Sequence, residues 1–279
     1  MRSLCRVRGK EWKSVKAMCI SLVAAVSAVV LALGATASEE APAKKLNILA
    51  VSAHPDDVDL NAGGTLLKYM KQGHSIFIVY TTSGNTGSNE MTDTKLIGET
   101  REKEALEAAK LYGAKVRFLR NDDERLLDTN ETRTQVLDAL RWAEPDIVFT
   151  HSDKDESPDH KMTSHLVRSM IISMPGINQQ SNEKPCKKIP SVFMWETGRS
   201  IGFVPEVAVD ITDEFETKVK ALECHKSQFP YMAEFGNNRF TESMRIRAAF
   251  YGMQYGCKYA EGFRGWRTSG YMPNFKLLP

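Results

Sequence analysis

The chain alternates short apolar runs with amphipathic stretches over most of its length. Four runs, LNILAVSA, SIFIVYTT, KVRFL and DIVFT, predict strands at 46–53, 75–82, 115–119 and 146–150. Continuously apolar strands are typical of parallel sheets that are covered on both faces. The stretches between them predict helices, because their apolar residues recur at helical spacing. This order predicts an α/β fold, with a Rossmann-like, doubly wound and mainly parallel sheet in a single domain.

The C-terminal part of the chain has a less regular pattern. Apolar runs predict further strands at 191–195 and 206–212, and amphipathic stretches predict helices at 159–173, 213–227 and 241–256. From Leu46 onward the chain has about 235 residues, which suits one domain of this class.

The first 37 residues differ from the rest of the chain. Basic residues precede an apolar run at 17–33, and a small-residue ATA tripeptide follows it. This layout is typical of a secretory signal peptide with cleavage before Ser38, so we expect an exported protein, either periplasmic or extracellular. An uncleaved membrane anchor is the alternative, because the apolar run is nearly long enough to span a bilayer. Residues 38–45 predict a polar linker to a domain at 46–279.

The net charge of the chain without this leader differs from that of the whole chain, which is +2. The leader holds six of the 37 Lys and Arg residues and one of the 35 Asp and Glu residues, so the remainder has a net charge of −3. That balance gives no support for nucleic-acid binding, and membrane association is expected only if the leader is retained.

Three cysteines remain after the leader, which is an odd number. At most one disulfide can form, for example between Cys224 and Cys257, and three free thiols are the alternative.

Two polar clusters follow predicted strands at their carboxyl ends. His54-Pro55-Asp56-Asp57 comes directly after the first strand, and THSDKDESPDHK, at 150–161, comes at the end of the fourth. In open α/β sheets, ligands bind at this edge, where the strand order reverses. The sequence therefore predicts one site built from both clusters.

The residue types in these clusters favour a metal site. Imidazole and carboxylate groups are the ligands of catalytic zinc, so we expect His54, Asp57 and His160 to bind a metal ion. Asp56 is then free to stand beside a metal-bound water, and Asp159 to support the site from beside His160. Zn²⁺ is the expected ion, and Fe²⁺ or Mn²⁺ suits the same ligands.

Other interpretations of these residues are less favoured. A single histidine at a strand end is more often structural, and an Asp pair before a helix more often caps it. The chain has no GxSxG elbow, no Walker loop and no GxGxxG motif after the first strand. His165 is not expected to be a ligand, because it is rotated by about 140° from His160 around the helix. The charged segments 122–125 and 154–156 are interpreted as solvated loops.

Six motifs spread over nearly the whole domain carry a resemblance to a known superfamily. They are AHPDDVDLNAGGTL (53–66), TTSGNTGS (81–88), REKEALEAAKLYGA (101–114), PDHKMT (158–163), VDITDEFETKVKALECHKSQF (209–229) and YAEGF (259–263). On these motifs the chain resembles the PIG-L/LmbE-like de-N-acetylases. The resemblance implies a zinc-dependent hydrolase that removes N-acetyl groups from N-acetylglucosamine-type glycans or glycoconjugates.

The resemblance also implies roles for individual residues. The three expected ligands would bind zinc, Asp56 would be the general base, and Arg101 would contact the substrate. Asp159 matches the carboxylate that precedes the last ligand in relatives. With export, an envelope or extracellular amino-sugar glycan is the expected substrate.

One position departs from the pattern of the superfamily. Many relatives have His-Pro-Asp-His where this chain has Ser157-Pro158-Asp159-His160, so a histidine expected near the reacting groups is absent. Either the metal and another donor take its role, or His151 or His225 replaces it, or activity is reduced. Two other functions therefore stay open, namely a catalytically weakened glycan-binding protein and an amidase acting on a different sugar-linked amide.

Overall fold

A mixed sheet of seven strands forms the centre of the part of the chain that the computed structural model describes, residues 44–196, 202–234, 240–267 and 271–279. The strands are β1 (Asn47–Ser52), β2 (Ser75–Thr82), β3 (Lys115–Asn121), β4 (Ile147–His151), β5 (Ser191–Trp195), β6 (Val207–Asp210) and β7 (Ala260–Gly265). Their order is β3-β2-β1-β4-β5-β7-β6. The first five are parallel, and β7 is antiparallel to β5 and β6. The prediction of a doubly wound, mainly parallel sheet is confirmed.

Helices connect most of the strands. They are α1 (Asp57–Asn61), α2 (Gly63–Lys71), α3 (Thr94–Leu111), α4 (Asn130–Ala143), α5 (Pro158–Ile171), α6 (Phe215–Leu222), α7 (Gln228–Glu234) and α8 (Phe240–Tyr255), with a short 3₁₀ turn at Phe275–Leu277. Residues 45–279 form one compact unit. The predicted leader and most of the predicted linker lie outside the described residues.

The two faces of the sheet are covered by separate hydrophobic clusters. Along β1, Ile48 and Ala50 belong to one cluster, and Leu49 and Val51 belong to the other. Successive side chains of a strand point to opposite faces, so a strand buried on both faces has to be apolar throughout. This explains why β1 and β4 appear as unbroken apolar runs in the sequence.

The start of the helix that follows β2 is set by a capping side chain. Helix α3 begins at Thr94, because Asp93 accepts hydrogen bonds from the backbone N–H groups of Lys95 and Leu96. A Cβ at Gly98 would lie only 3.3 Å from Ser83 Cβ, so this glycine lets the helix approach the loop after β2.

The point where the strand order reverses lies between β1 and β4. Chain connections leave β1 toward β2 and β3 on one side, and β4 and β5 lie on the other side. Val51 pairs with Thr150, so the carboxyl ends of β1 and β4 are adjacent at one edge. The two polar clusters of the sequence therefore meet there.

Strand β7 is not predicted by the hydrophobic pattern, because it contains two charged residues and two glycines. Its Glu261 is buried and accepts hydrogen bonds from the N–H groups of Gly64 (2.9 Å) and Thr65 (2.7 Å) and from Lys218. The first N–H groups of a helix have no partner within the helix and carry positive potential. A carboxylate almost 200 residues away in the sequence thus accepts hydrogen bonds from the otherwise unpaired N–H groups at the start of α2.

The thiols of Cys186, Cys224 and Cys257 are free, so the disulfide considered between the last two is not formed. Among the helices of the described ranges, none combines the length and the hydropathy of a membrane span.

Replacement of Glu261 by Gln is expected to destabilise the fold by about 3 kcal/mol or more, because the variant leaves the buried ammonium of Lys218 without its counter-charge. Urea unfolding measures the free energy of unfolding. The matched control is Glu216→Gln, whose exposed side chain pairs with Arg245 at 3.3 Å, and we expect a change below about 0.5 kcal/mol there. Equal losses in the two variants would contradict the role given to Glu261.

Candidate metal centre

The structure brings the three expected ligands together at the carboxyl edge of the sheet. His54 Nδ1 lies 3.0 Å from His160 Nε2 and 3.3 Å from Asp57 Oδ2, and His160 Nε2 lies 3.4 Å from Asp57 Oδ1. The three donor atoms form one of the clusters in which a metal ion could be held.

Local hydrogen bonds shape the turn that carries two of these groups. The hydroxyl of Ser52, the last residue of β1, donates to the carbonyl of His54 (2.8 Å) and to Asp57 Oδ2 (3.2 Å). The backbone N–H of His54 donates to the same carboxylate oxygen (2.9 Å). Asp57 is thereby held facing the histidines, while α1 begins at this residue.

His160 is positioned by the first turn of α5. Ser157 is the N-cap of this helix, and its hydroxyl accepts a hydrogen bond from the backbone N–H of His160 (3.4 Å). Pro158 at the first helical position has the backbone dihedral that a helix start requires. The Ser-Pro-Asp-His sequence therefore starts the helix and directs the imidazole to the ligand cluster.

Two buried carboxylates lie behind the histidines. Asp123 Oδ1 is 2.9 Å from His54 Nε2, and Asp155 Oδ1 is 3.1 Å from His160 Nδ1. Carboxylates in this position fix the orientation and the tautomer of a metal-binding imidazole. The interpretation of both segments as solvated loops is wrong for these two residues, which are each only 6% exposed. Asp123 follows β3, which ends at the same edge of the sheet as β1 and β4. This position directly after a parallel strand is the sequence feature that could have indicated a role at the site.

Asp159 supports a loop instead of standing behind His160. Its carboxylate accepts hydrogen bonds from the backbone N–H groups of Glu124 (2.6 Å) and Leu126 (3.3 Å), and it lies 3.6 Å from His54 Nε2. Glu124 has a left-handed backbone, with φ of 61°. The carboxylate of Asp159 therefore holds the bend that presents Asp123 to the imidazole of His54.

The electrostatics of the cluster favour positive charge. Burial by itself would lower the pKa of His160, but the carboxylates of Asp57 and Asp155 outweigh it and raise this pKa to about 9. Burial likewise opposes protonation of His54, whose pKa is nevertheless raised by Asp123, Asp159 and Asp57. A position that stabilises cations this strongly suits a metal ion.

The residues fit a divalent cation on their own chemistry. Two imidazole nitrogens and a carboxylate converge, and each imidazole has a carboxylate on its other nitrogen. This is the donor set of three-ligand catalytic sites, which keep one position open. A divalent ion would also offset the buried negative charge.

Arg101 lies beneath the loop after β2 and pairs with the expected base. Its Nη2 donates to Asp56 Oδ1 (3.2 Å), its Nη1 donates to the carbonyl of Gly84 (3.0 Å), and the side chain is almost fully buried. A Cβ at Gly84 or Gly87 would lie 2.4 or 2.3 Å from Nη1, so glycine is required for the loop to close over the guanidinium. Arg101 therefore positions Asp56, and its predicted contact with substrate stays a prediction.

Neither histidine considered as a replacement at position 157 is accessible. His151 is fully buried, accepts a hydrogen bond from the N–H of Ala53 (2.9 Å) and stacks on His160. Burial and the nearby His160 lower the pKa of His151 to about 4. His225 is also fully buried, and its Nε2 lies 2.9 Å from Asp59 Oδ2. Both side chains support the interior of the site.

Comparisons with known proteins show which proteins this chain is similar to. The PIG-L family profile, described as GlcNAc-PI de-N-acetylase, matches residues 49–171. A 4-oxalmesaconate hydratase of Pseudomonas putida is 31% identical over 64% of this chain and 73% of its own length. A diacetylchitobiose deacetylase of Thermococcus kodakarensis is 28% identical over 78% of this chain and 82% of its own. The structure of the N,N'-diacetylchitobiose deacetylase of Pyrococcus horikoshii, in complex with its inhibitor MPG, is similar with a TM-score of 0.71 at 28% identity, covering 81% of this chain and 86% of that one.

Replacement of His160 by Ala is expected to reduce bound zinc from about one ion per chain to a small fraction, because a site with two ligands binds far more weakly. Metal content after zinc loading and desalting is measured by mass spectrometry. The control is His165→Ala on the same helix, since His165 is half exposed and contacts Asp128 at 3.0 Å. Full zinc content in the His160 variant would remove this residue from the ligand set.

His225 is expected to make stability depend on pH. Burial disfavours its charged form, but the hydrogen bond and charge of Asp59 raise its pKa above the usual 6.5. The stabilisation is therefore complete below about pH 6.5 and is lost as the pH rises through the raised value. The difference in the free energy of unfolding between the wild type and His225→Gln should shrink accordingly as the pH rises above about 6.5. A difference that grows with pH would have the wrong sign for this pair.

Proposed function

The chain belongs to the PIG-L (GlcNAc-PI de-N-acetylase) family, and we propose that it is a metal-dependent hydrolase that removes N-acetyl groups from N-acetylglucosamine-type glycans or glycoconjugates. The observation that carries the proposal is the convergence of His54 Nδ1, Asp57 and His160 Nε2 beside a buried Asp56. The similarity to two diacetylchitobiose deacetylases supports an acetylated amino sugar as the substrate.

In this proposal His54, Asp57 and His160 hold Zn²⁺, with Fe²⁺ or Mn²⁺ as alternatives. When bound, the ion supplies Lewis acidity, which polarises a carbonyl and lowers the pKa of water from 15.7 to about 7. Asp123 and Asp155 keep the two imidazoles oriented.

Asp56 moves the proton. Arg101 donates to Oδ1 of this carboxylate and holds it in place, and the other oxygen, Oδ2, is the proposed proton acceptor. The carboxylate accepts a proton from the attacking water while a bond forms between the water oxygen and the acetyl carbon. It then passes the proton to the nitrogen as the C–N bond breaks, and the products are acetate and a free amino sugar. Ser157 provides no ring to protonate the leaving nitrogen, so Asp56 serves both steps.

We also propose that the protein is exported and acts on envelope or extracellular glycans. Support for this comes from the leader-like sequence at 1–37. The measurement is the N-terminal sequence and compartment of the protein made in its own host.

A second candidate is a hydratase, because the 31% identical relative is a 4-oxalmesaconate hydratase. A hydratase adds water to a carbon–carbon double bond and releases neither acetate nor amine. Product analysis therefore separates the two candidates directly.

A substrate panel tests the proposed function. Zinc-loaded protein is incubated with N-acetylglucosamine, diacetylchitobiose, a sugar-linked amide without an acetyl group, and 4-oxalmesaconate, and acetate, free amine and loss of the double bond are measured. Acetate and amine in equal amounts support the proposal. Hydration alone would replace the proposal with the hydratase. Release of amine without acetate would replace it with an amidase that acts on a different amide, and glycan binding without turnover would replace it with a glycan-binding protein.

Replacement of Asp56 by Asn is expected to reduce turnover by about 10²-fold or more with zinc content unchanged, since the amide cannot accept the proton. Acetate release under saturating substrate is the measurement. The control is Asp153→Asn, an exposed carboxylate that pairs with Arg168, and it should retain its rate. Full turnover in the Asp56 variant would rule out this residue as the base.

A further inference from the structure

Ser227 and Gln228, at the start of α7, contact two elements of the site. Ser227 donates from its backbone N–H and from its hydroxyl to Glu104 (2.8 and 2.7 Å). Glu104 lies one turn after Arg101 on α3, so the two side chains share a face of that helix. The buried Gln228 donates from Nε2 to the carbonyl of Gly87 (3.1 Å) in the loop after β2. The pair thus contacts both the helix that carries Arg101 and the loop that covers it.

The hydrogen bonds of this pair form one continuous chain. The hydroxyl of Ser227 donates to Glu104 and accepts from Nε2 of Gln228 (3.1 Å). The same amide nitrogen donates to the carbonyl of Gly87, so both of its N–H groups are used. A backbone carbonyl offers only lone pairs. The side chain at position 228 therefore has to present a donor to the loop.

Gly87 closes a turn that packs on the guanidinium of Arg101. The carbonyl of Gly84 accepts from the N–H of Gly87 (3.1 Å) and from Nη1 of Arg101 (3.0 Å). A Cβ at Gly87 would lie 2.3 Å from Nη1, so the glycine backbone lies directly against this group. Within the described ranges, the buried Nε of Arg101 has no hydrogen-bond partner. The orientation of the guanidinium therefore depends on this turn and on Asp56.

The other anchors of the loop lead to the bend after β3. The hydroxyl of Thr86 donates to Asp123 Oδ2 (2.8 Å), and the backbone N–H of Asp123 donates to Asn85 Oδ1 (2.9 Å). Neither contact reaches the carbonyl of Gly87. Gln228 supplies the hydrogen bond at that position, and the loop keeps its other anchors when this bond is removed.

We propose that Gln228 is a positioning residue, whose amide holds the turn of this loop on Arg101. Arg101 in turn stays on Asp56, where its Nη2 lies 3.2 Å from Oδ1. If the turn moves away, Nη1 loses the carbonyl of Gly84, and the guanidinium is no longer fixed beside the carboxylate. A displacement of about 1 Å at a reacting group lowers a rate by up to about 10²-fold. The catalytic consequence of this inference rests on the proposed function.

The first test measures acetate release from diacetylchitobiose by zinc-loaded Gln228→Met, whose side chain has similar length and no donor. We expect kcat to fall about 10-fold and KM to change less than about 2-fold, because Asp56 acts in proton transfer and not in substrate binding. Ser227→Ala is a milder change in the same chain and should lower kcat about 2- to 3-fold. The matched control is Asn89→Ala, which removes an exposed hydrogen bond between the same loop and Glu234 of α7 and should keep both constants.

The second test places Gln228→Met in an Arg101→Met background, in which the guanidinium is already missing. We expect no further fall in kcat there, because the two residues act in one chain of contacts. A merely structural loss would instead multiply with the effect of Arg101→Met. An unchanged kcat in the single variant, or a further fall of about 10-fold in the double variant, would overturn the positioning role.

A third measurement needs no turnover. Hydrogen exchange followed by mass spectrometry compares the loop at 83–91 in the wild type and in Gln228→Met. We expect exchange there to be about 10-fold faster in the variant, with the exchange of α4 unchanged, because opening of the loop becomes easier. Faster exchange together with no acetate from the wild type would reject the proposed function and leave the hold of Gln228 on the turn. Acetate from the wild type with unchanged exchange in the variant would reject the role of Gln228 alone.

Discussion

Buried negative charge at one edge of the sheet is the constraint on which the site depends. Five aspartates, at positions 56, 57, 123, 155 and 159, are almost completely removed from solvent there. A buried carboxylate costs several kcal/mol unless it is paired or hydrogen-bonded. Each of these groups accordingly has a partner close by, which is a guanidinium, an imidazole or a backbone N–H group. The fold can hold this charge only because these partners are delivered from several loops.

The loops are joined to one another through the same carboxylates. Asp159 holds the bend after β3, that bend presents Asp123 to His54, and Asp123 also receives the hydroxyl of Thr86 from the loop after β2. The loops after β2, β3 and β4 thus form one hydrogen-bonded layer over the end of β1. The same holds at the start of α2, where the Glu261 carboxylate from a distant strand pairs with two buried helix N–H groups and a buried lysine.

The sequence predicted what depends on local pattern. The apolar runs of the parallel strands, the alternation of strands and helices, and the convergence of two clusters at the sheet edge all follow from periodicity and from the direction of parallel strands. It did not predict β7, whose Glu261 and glycines interrupt the apolar pattern. Nor did it predict that Asp123 and Asp155 are buried, because a charged loop residue has the same local pattern whether it is solvated or paired.

By itself the sequence determined the fold class and brought His54, Asp57 and His160 to a common edge, since a strand buried on both faces has to be apolar and parallel strands end on the same side. Only the tertiary structure decided which groups stand behind those residues. It placed Arg101 against Asp56 and enclosed His151 and His225. The reason is that these pairings join residues far apart in the chain, and their energy depends on burial and distance, which exist only in the folded protein.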